Sequence, residues 1–228
     1  ENLRFHPGEE SNDSGFVEAL ASLGDIYVNE AFSCSHRAHS SVSKITKFIN
    51  SYAGLHLDNE INALTQITKN IQRPVSCIIG GSKVSTKINL IKNLVKNYDN
   101  VIVVGAMANS FIKYNGHNIG KSIFEIDSEL IIKNIYEAAK INNCNIAHPV
   151  DFSVSKNKNG TPKNKVPNEI ENDDLILDIG LETIKSIKKI INISKTILWN
   201  GPAGYFENEN FAIGSYEIAK EISNMTNN

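Results

Sequence analysis

The chain has 228 residues, with 23 Lys and Arg against 25 Asp and Glu, for a formal net charge of −2. Hydrophobic residues make up 41% and charged residues 21%, ordinary values for a globular protein that argue against a strongly basic nucleic-acid-binding chain. The length allows one large domain or two modest ones, and no apolar run approaches the ~20 residues that a membrane span needs.

Three cysteines, Cys34, Cys77 and Cys144, are far apart and form no C-x-x-C pair. This spacing predicts neither a disulfide framework nor a zinc site, and it fits a reducing, cytoplasmic setting. We also expect no signal peptide. Because it begins with Glu1 rather than Met, we expect the opening "ENLRFHPGEE" to be the interior of a longer chain.

Short apolar runs rich in β-branched residues alternate with amphipathic stretches along the chain. The runs predict strands at Ile26 to Val28, Val75 to Ile79, Val101 to Val104, Asn145 to Val150 and Thr196 to Trp199. Helical spacing predicts helices near 16–23, 84–95, 131–139 and 211–222. This alternation predicts βαβ units and an α/β fold with open, doubly wound parallel sheets.

A connector and a polar excursion interrupt this alternation. Asp58 is a candidate N-cap for a connecting helix, so we place a domain boundary just before it, between residues 1–55 and 56–228. The stretch from Lys156 to Asp174 contains Gly160, Pro162 and Pro167 and predicts a long surface loop or a β-ribbon.

The segment "CIIGGSKVSTKI", Cys77 to Ile88, runs from a strand through Gly80 and Gly81 into a helix that carries Lys83 and Lys87. Glycines let a backbone approach a phosphate, and a helix N-terminus favours anions. Phosphate binding and a tight turn with two solvated lysines are about equally supported. The segment is not a Walker A loop, since G-x-x-x-x-G-K-[ST] is absent.

Two further segments place small residues after strands. In "VVGAMANSF", the end of a strand could contribute to a ligand site, but close packing of a helix on the strand by Gly105, Ala106 and Ala108 is the favoured interpretation. In "ILWNGPAGYFE", Asn200 could bond a phosphate and Glu207 could accept from a ribose hydroxyl. The alternative there is a glycine–proline turn with an exposed glutamate. Loops after strands carry function often enough to favour the first interpretation.

Two charged clusters are less specific. In "SCSHRAHSS", Arg37 offers a bidentate fork for a carboxylate or phosphate beside His36 and His39. A metal site that includes Cys34 is the weaker alternative, because no further Cys or His has ligand spacing. Asp151 in "HPVDF" could be a base or a metal ligand, although such an aspartate more often caps a turn.

Eight segments in one order resemble the phosphoglycerate kinase family across nearly the whole chain. They are "ENLRFHPGEE", "YVNEAFSCSHRAHSS", "IIGGSKVSTKI", "VGAMANSF", "GKSIFE", "HPVDF", "DIGLET" and "WNGPAGYFE". The resemblance implies two α/β domains joined by a hinge helix. The first would bind 3-phosphoglycerate or 1,3-bisphosphoglycerate, and the second ADP or ATP with Mg²⁺. Domain closure would allow direct phosphoryl transfer in a cytoplasmic monomer, with no nucleic-acid or membrane partner.

The resemblance also implies roles for individual residues. The catalytic set would be Lys83, Lys87 and Arg37. The phosphoglycerate site would comprise Arg4, Arg37 and His36. The nucleotide site would comprise Gly80, Gly81, Lys87, Gly105, Gly180, Asn200, Gly201 and Glu207. No metal ligand is expected in this chain, because the family's aspartate belongs to a segment that it lacks.

The sequence departs from the family at several positions. Val104-Gly105-Ala106 replaces three glycines, and Leu181 replaces the proline of a "DIGPET"-like motif. The family's opening strand and its "GGGDS"-type segment have no counterpart, so we expect little or no turnover from this polypeptide. A non-catalytic fragment with weak nucleotide binding is therefore the alternative to a kinase. A nucleotide-binding dehydrogenase is disfavoured because no G-x-G-x-x-G follows a strand.

Overall fold

The structure, a computed structural model, describes residues 2–69, 71–82 and 84–226. The chain divides into two compact units, Glu1–Asn70 and Ile71–Asn228. The sequence places a boundary after residue 55, at the start of a helix that the structure assigns to the first unit. The role of that helix as a hinge stays a prediction.

The first unit contains short elements around a two-stranded parallel sheet. In chain order they are α1 (Pro7–Glu10), α2 (Ser14–Ala21), β1 (Tyr27–Asn29), β2 (Ser51–Ala53) and α3 (Leu55–Lys69). The Asp13 carboxylate caps α2 by accepting from the Phe16 N–H over 2.8 Å. Strand β1 is found one residue beyond its predicted position, and β2 is not predicted from the sequence.

Helix α3 begins a turn earlier than predicted. The Asp58 N–H donates to the Gly54 carbonyl over 2.9 Å, so helical bonding already includes the residues before Asp58. Asp58 therefore lies in the first turn, where its carboxylate accepts from the Asn62 amide over 3.0 Å. The N-cap prediction for Asp58 is wrong for this reason.

The second unit is built on a four-stranded parallel sheet in the order β5-β4-β3-β9. Its strands are β3 (Val75–Ile79), β4 (Asn100–Val103), β5 (Asn145–Ala147) and β9 (Thr196–Asn200). The helices of the unit are α4 (Ile88–Asn97), α5 (Ala106–Tyr114), α6 (Glu129–Ile141), α7 (Leu181–Ile193) and α8 (Ile213–Thr226). These elements confirm the predicted α/β class.

Both faces of this sheet are buried, as the continuous apolar strands predict. Cys77 and Ile79 of β3 belong to one buried cluster that includes Ile91 of α4 and Phe111 of α5. Ile78 points to the other face, where the cluster contains side chains of α7 and α8. Helices on both faces are the mark of a doubly wound arrangement.

A second, antiparallel sheet in the order β7-β6-β8 is not predicted as a sheet. Its strands are β6 (Phe152–Ser155), β7 (Lys163–Lys165) and β8 (Leu175–Ile179). The pairing of β6 with β7 gives the stretch after Lys156 the β-ribbon form, one of its two predicted alternatives. None of the helices in the described ranges has both the length and the apolar character needed to cross a membrane.

Candidate functional site

The carboxyl ends of three parallel strands, β3, β4 and β9, meet at one edge of the larger sheet. Backbone hydrogen bonds join the loops that follow them. The Gly80 N–H donates to the Asn200 carbonyl over 2.8 Å, and the Gly105 N–H donates to the Ala203 carbonyl over 3.0 Å. Three small-residue turns, predicted from separate stretches of sequence, therefore form one continuous surface.

Gly80 and Gly105 are required where the backbone passes close to Pro202. A Cβ on Gly80 would lie 2.3 Å from the Pro202 carbonyl oxygen, and one on Gly105 would lie 2.9 Å from it. Gly105 also has a φ of +67°, which residues with a side chain rarely adopt. Ala106, by contrast, is the first residue of α5 and needs no glycine.

The Lys87 ammonium is held at this edge by two acceptors. It donates to the Gly80 carbonyl over 2.7 Å and to the Asn200 side-chain oxygen over 2.6 Å. The sequence predicts that Lys83 and Lys87 lie within one helix, but α4 begins only at Ile88. Lys87 therefore precedes the helix, and Lys83 lies outside the described residues.

A cavity of about 330 Å³ opens beside these turns. Its lining is mostly apolar and includes Gly81, Gly105, Ile123, Leu177, Pro202 and Glu207. The Lys87 ammonium lies 3.4 Å from the point where a Cβ of Gly81 would stand, so a cation borders the glycine wall. Of the nucleotide residues predicted from the sequence, Gly81, Gly105 and Glu207 line the cavity directly. Gly80, Lys87, Asn200 and Gly201 form the adjoining turns.

One wall of the cavity is held by helix α5. The Asn109 amide donates to the Ile123 carbonyl over 2.9 Å, and the Ser110 hydroxyl accepts from the Glu125 N–H over 3.0 Å. The Glu125 carboxylate in turn accepts from the Ser85 N–H over 2.8 Å, just before α4. The Ser85 N–H, in the turn that precedes α4 and where the sequence predicts an anion, thus donates to a carboxylate of the chain itself.

A buried carboxylate, Asp178, lines the same cavity and is 3% exposed. Burial raises its pKa to about 6, and the backbone N–H groups of Gly214 and Ile179 only partly oppose that effect. The sequence does not single out Asp178, because the family resemblance of the "DIGLET" motif implies a role for Gly180 alone. A carboxylate at the end of a buried strand is the signal that could have identified it.

Gly180 lies outside the cavity lining of the described residues. A Cβ there would stand 2.3 Å from the Asp151 carboxyl carbon, so packing alone requires this glycine. Asp151 accepts from the Glu182 N–H over 3.0 Å and the Thr183 N–H over 2.8 Å. Burial raises the pKa of Asp151, but hydrogen bonds led by Thr183 outweigh burial and hold it below its usual range. Asp151 therefore caps α7, which favours the capping interpretation over a base or metal ligand.

The first unit contains its own cavity, of about 550 Å³. Arg4 and His39 line it, together with the buried Glu9 and with Glu30. His36 and Arg37 are exposed and lie outside that lining. The Glu9 carboxylate accepts from the Ser41 hydroxyl over 2.6 Å and lies 3.6 Å from His39 Nδ1. The predicted basic cluster is therefore only partly brought together.

Among the described residues, one set of three acidic side chains lies close enough together to hold a metal ion. These are Glu171, Asp173 and Asp174. Lys156 bonds all three carboxylates, and Lys165 lies 2.8 Å from Asp174. Burial raises the pKa of Asp174, but hydrogen bonds led by Lys165 outweigh burial and lower it to about 2. Two lysines therefore offset most of the charge of these three carboxylates. None of the three lines the cavity beside the larger sheet.

An open parallel sheet with helices on both faces and a cavity at its carboxyl edge defines a ligand-binding α/β protein. The comparisons with known proteins narrow this class. The family model described as Phosphoglycerate kinase matches residues 1–228, so the chain belongs to the phosphoglycerate kinase family.

Individual relatives agree with the family model. A phosphoglycerate kinase of Wolbachia sp. subsp. Drosophila simulans is 45% identical over 227 residues, which are 99% of this chain and 57% of that protein. One of Xanthobacter autotrophicus is 43% identical over 99% of this chain and 58% of that protein. The solved phosphoglycerate kinase of Coxiella burnetii superposes with a TM-score of 0.87 at 34% identity, covering 98% of this chain and 58% of that one. The chain thus spans somewhat more than half the length of these relatives.

Proposed function

We propose that the chain carries the phosphoglycerate kinase reaction, in which phosphoryl transfer between 1,3-bisphosphoglycerate and ADP gives 3-phosphoglycerate and ATP. The observation that carries the proposal is the Lys87 ammonium, fixed by Gly80 and Asn200 beside a glycine-walled cavity. A cation held next to backbone that lacks side chains suits a polyphosphate, because phosphoryl transfer depends on positioning and charge neutralisation. The family name supports a place in glycolysis.

The cavity of the second unit suits a nucleoside. Ile123, Leu177 and Pro202 offer apolar surface for a base, and the exposed Glu207 offers an acceptor for a ribose hydroxyl. A volume of about 330 Å³ matches the size of small-molecule sites. The phosphates would then face Gly81, Lys87 and Asn200.

Mg²⁺ would enter this site with the nucleotide phosphates, where it neutralises charge on the transferring group. The described residues fit a metal that the nucleotide itself carries. The acidic group with metal-ligand spacing is bonded to lysines, and none of its members lines the cavity. Lys87 and Asn200 would therefore contact the phosphates, and the metal would be held through the phosphate oxygens.

Phosphoglycerate is proposed to bind in the first unit through Arg4, Arg37 and His36. Arg4 supports this proposal because it lines a cavity that also contains His39. We further propose a cytoplasmic monomer. The free thiols of Cys34, Cys77 and Cys144 suit a reducing compartment, and sedimentation would measure the assembly state.

The test is a titration with Mg-ADP that follows the fluorescence of Trp199, the single tryptophan, whose indole N–H donates to the Gly201 carbonyl. A coupled assay on the same chain measures turnover, which we expect to be low. In the full-length form of the enzyme, we expect Lys87→Ala to lower turnover about 100- to 1,000-fold, the usual loss of a group that stabilises developing charge, while affinity falls about tenfold or less.

Lys96→Ala is the matched control, because Lys96 is an exposed lysine in the last turn of α4, the helix that follows Lys87. It should leave both affinity and turnover unchanged. Saturable Mg-ADP binding without turnover would favour the non-catalytic alternative. Full turnover by Lys87→Ala would refute the role of this lysine.

A further inference from the structure

Asp178 occupies a junction of three structural elements at the cavity. It lies near the end of β8, and its Oδ2 accepts from the Gly214 N–H in the first turn of α8 over 2.7 Å. Its Oδ1 accepts from the Ile179 N–H over 2.8 Å. The third element is the segment 201–207, which follows β9 and lines the cavity.

Segment 201–207 packs directly on this carboxylate. A Cβ on Gly204 would stand 2.4 Å from Asp178 Oδ1, so only a glycine allows the backbone to approach so closely. Beside that contact, the Tyr205 N–H donates to the Leu177 carbonyl over 2.6 Å. The Ala203 N–H donates to the Ser215 hydroxyl over 2.9 Å. The segment is therefore clamped between β8 and α8, with the carboxylate at the centre.

This arrangement has a cost that packing alone does not explain. A carboxylate that is 3% exposed loses its hydration, and neither Gly214 nor Ile179 brings a cation to it. A neutral side chain could have filled the space between β8 and α8. Groups whose ionisation is disfavoured by burial, and which line a cleft, are frequent at functional sites.

We propose that Asp178 is a positioning residue for the nucleotide, holding segment 201–207 in its binding conformation before the ligand arrives. This inference rests on the proposed nucleotide function. The segment carries Glu207, proposed for the ribose, and begins directly after Asn200, the acceptor for Lys87. Its position therefore affects both the ribose end and the phosphate end of the site. Preorganisation of this kind raises affinity by removing the cost of ordering a loop on binding.

The test compares Asp178→Ala with Asp99→Ala. Asp99 is the matched control, because its carboxylate also accepts from a backbone N–H, that of Val75, at the opposite end of β3. In the ligand-free chain, we expect Asp178→Ala to speed amide hydrogen exchange in residues 203–207 at least tenfold, relative to β3. We expect it to weaken Mg-ADP binding about 5- to 30-fold, and Asp99→Ala to leave both within about twofold.

A simple helix cap would behave differently. It would speed exchange in α8 without a selective effect on residues 203–207, and affinity would stay within twofold; that result overturns the proposal. Asp178→Asn keeps the side-chain size and one acceptor, so an intermediate loss of affinity is expected. If Asp178→Ala does not fold, the affinity of Asp178→Asn for Mg-ADP tests the proposal in its place. If the unmodified chain fails to bind Mg-ADP, the nucleotide function is lost, but the exchange experiment still shows whether Asp178 positions the segment.

Discussion

The two compact units use parallel strands in contrasting ways. Strand β3 of the second unit is buried at every position and has a partner on each side. In the first unit, β1 and β2 form a two-stranded sheet within the described residues, and Val28 and Tyr52 are 47% and 58% exposed. The buried core of the first unit is small, with Val17, Ile45 and Leu57 as its apolar members among the described residues.

The difference explains which predicted residues come together. Parallel strands end at the same sheet edge, so three neighbouring strands place three loops side by side. This joins Gly80, Gly105 and Asn200 in the second unit. A pair of strands positions fewer loops, and in the first unit Arg4 lines the cavity while Arg37 does not. Among the described residues, the four-stranded sheet thus brings three motifs together, and the two-stranded sheet does not.

The largest expected effect is the loss of unfolding free energy when a side chain of a buried strand is truncated, compared with the same change in an exposed strand. Ile78→Ala removes a fully buried side chain from β3 and should cost about 2–5 kcal/mol of unfolding free energy. Val28→Ala in β1 removes a half-exposed one and should cost about 0.5 kcal/mol or less. Native-state hydrogen exchange measures the two units separately. Equal losses would remove the contrast between the units.

The second prediction concerns how the stability of the second unit, which contains Asp178, depends on pH. Burial raises the pKa of Asp178 to about 6 when folded, against about 3.9 in an unfolded chain, so the folded chain binds more protons between pH 4 and 6. Stability should therefore fall as pH rises through this window, by on the order of 3 kcal/mol. Urea unfolding followed by Trp199 fluorescence at several pH values measures it.

Asp178→Asn is the control for that pH dependence and should flatten it. Asp151 and Asp174 have lowered pKa values, so their stabilisation is present above about pH 4 and is lost only in more acid solution. They lie outside the window for this reason. Parallel curves for the unmodified chain and Asp178→Asn would show that another group causes the slope.

The smallest expected effect tests the first unit. Arg4→Ala should weaken binding of 3-phosphoglycerate about tenfold, because Arg4 lines the cavity and a charge-assisted hydrogen bond contributes roughly that factor. Arg37→Ala should weaken it less, about threefold, because Arg37 is exposed and lies outside the lining of this cavity. Calorimetric titration measures both, with the exposed Lys47→Ala as control. A larger effect at Arg37 would place the substrate outside this cavity.

The sequence predicts elements best where apolar runs are continuous. The strand Val75–Ile79 is found as predicted, since all five of its residues are buried. The strand predicted from Asn145 to Val150 ends at Ala147, because Pro149 cannot donate to a ladder. Strand β8 is not predicted, since Asp178 interrupts its apolar pattern with a charge, one of whose partners, Gly214, lies far along the chain.

By itself, the sequence determined the α/β class, the glycine turns after β3, β4 and β9, and the resemblance to one family. These properties follow from local periodicity and from residue types with special backbone freedom. Only the tertiary structure decided that Lys87 meets Asn200, that Gly180 packs on Asp151, and that Asp178 lines the cavity. Asp178 is 36 residues from Gly214, and no local pattern encodes a contact that sheet order and helix packing create.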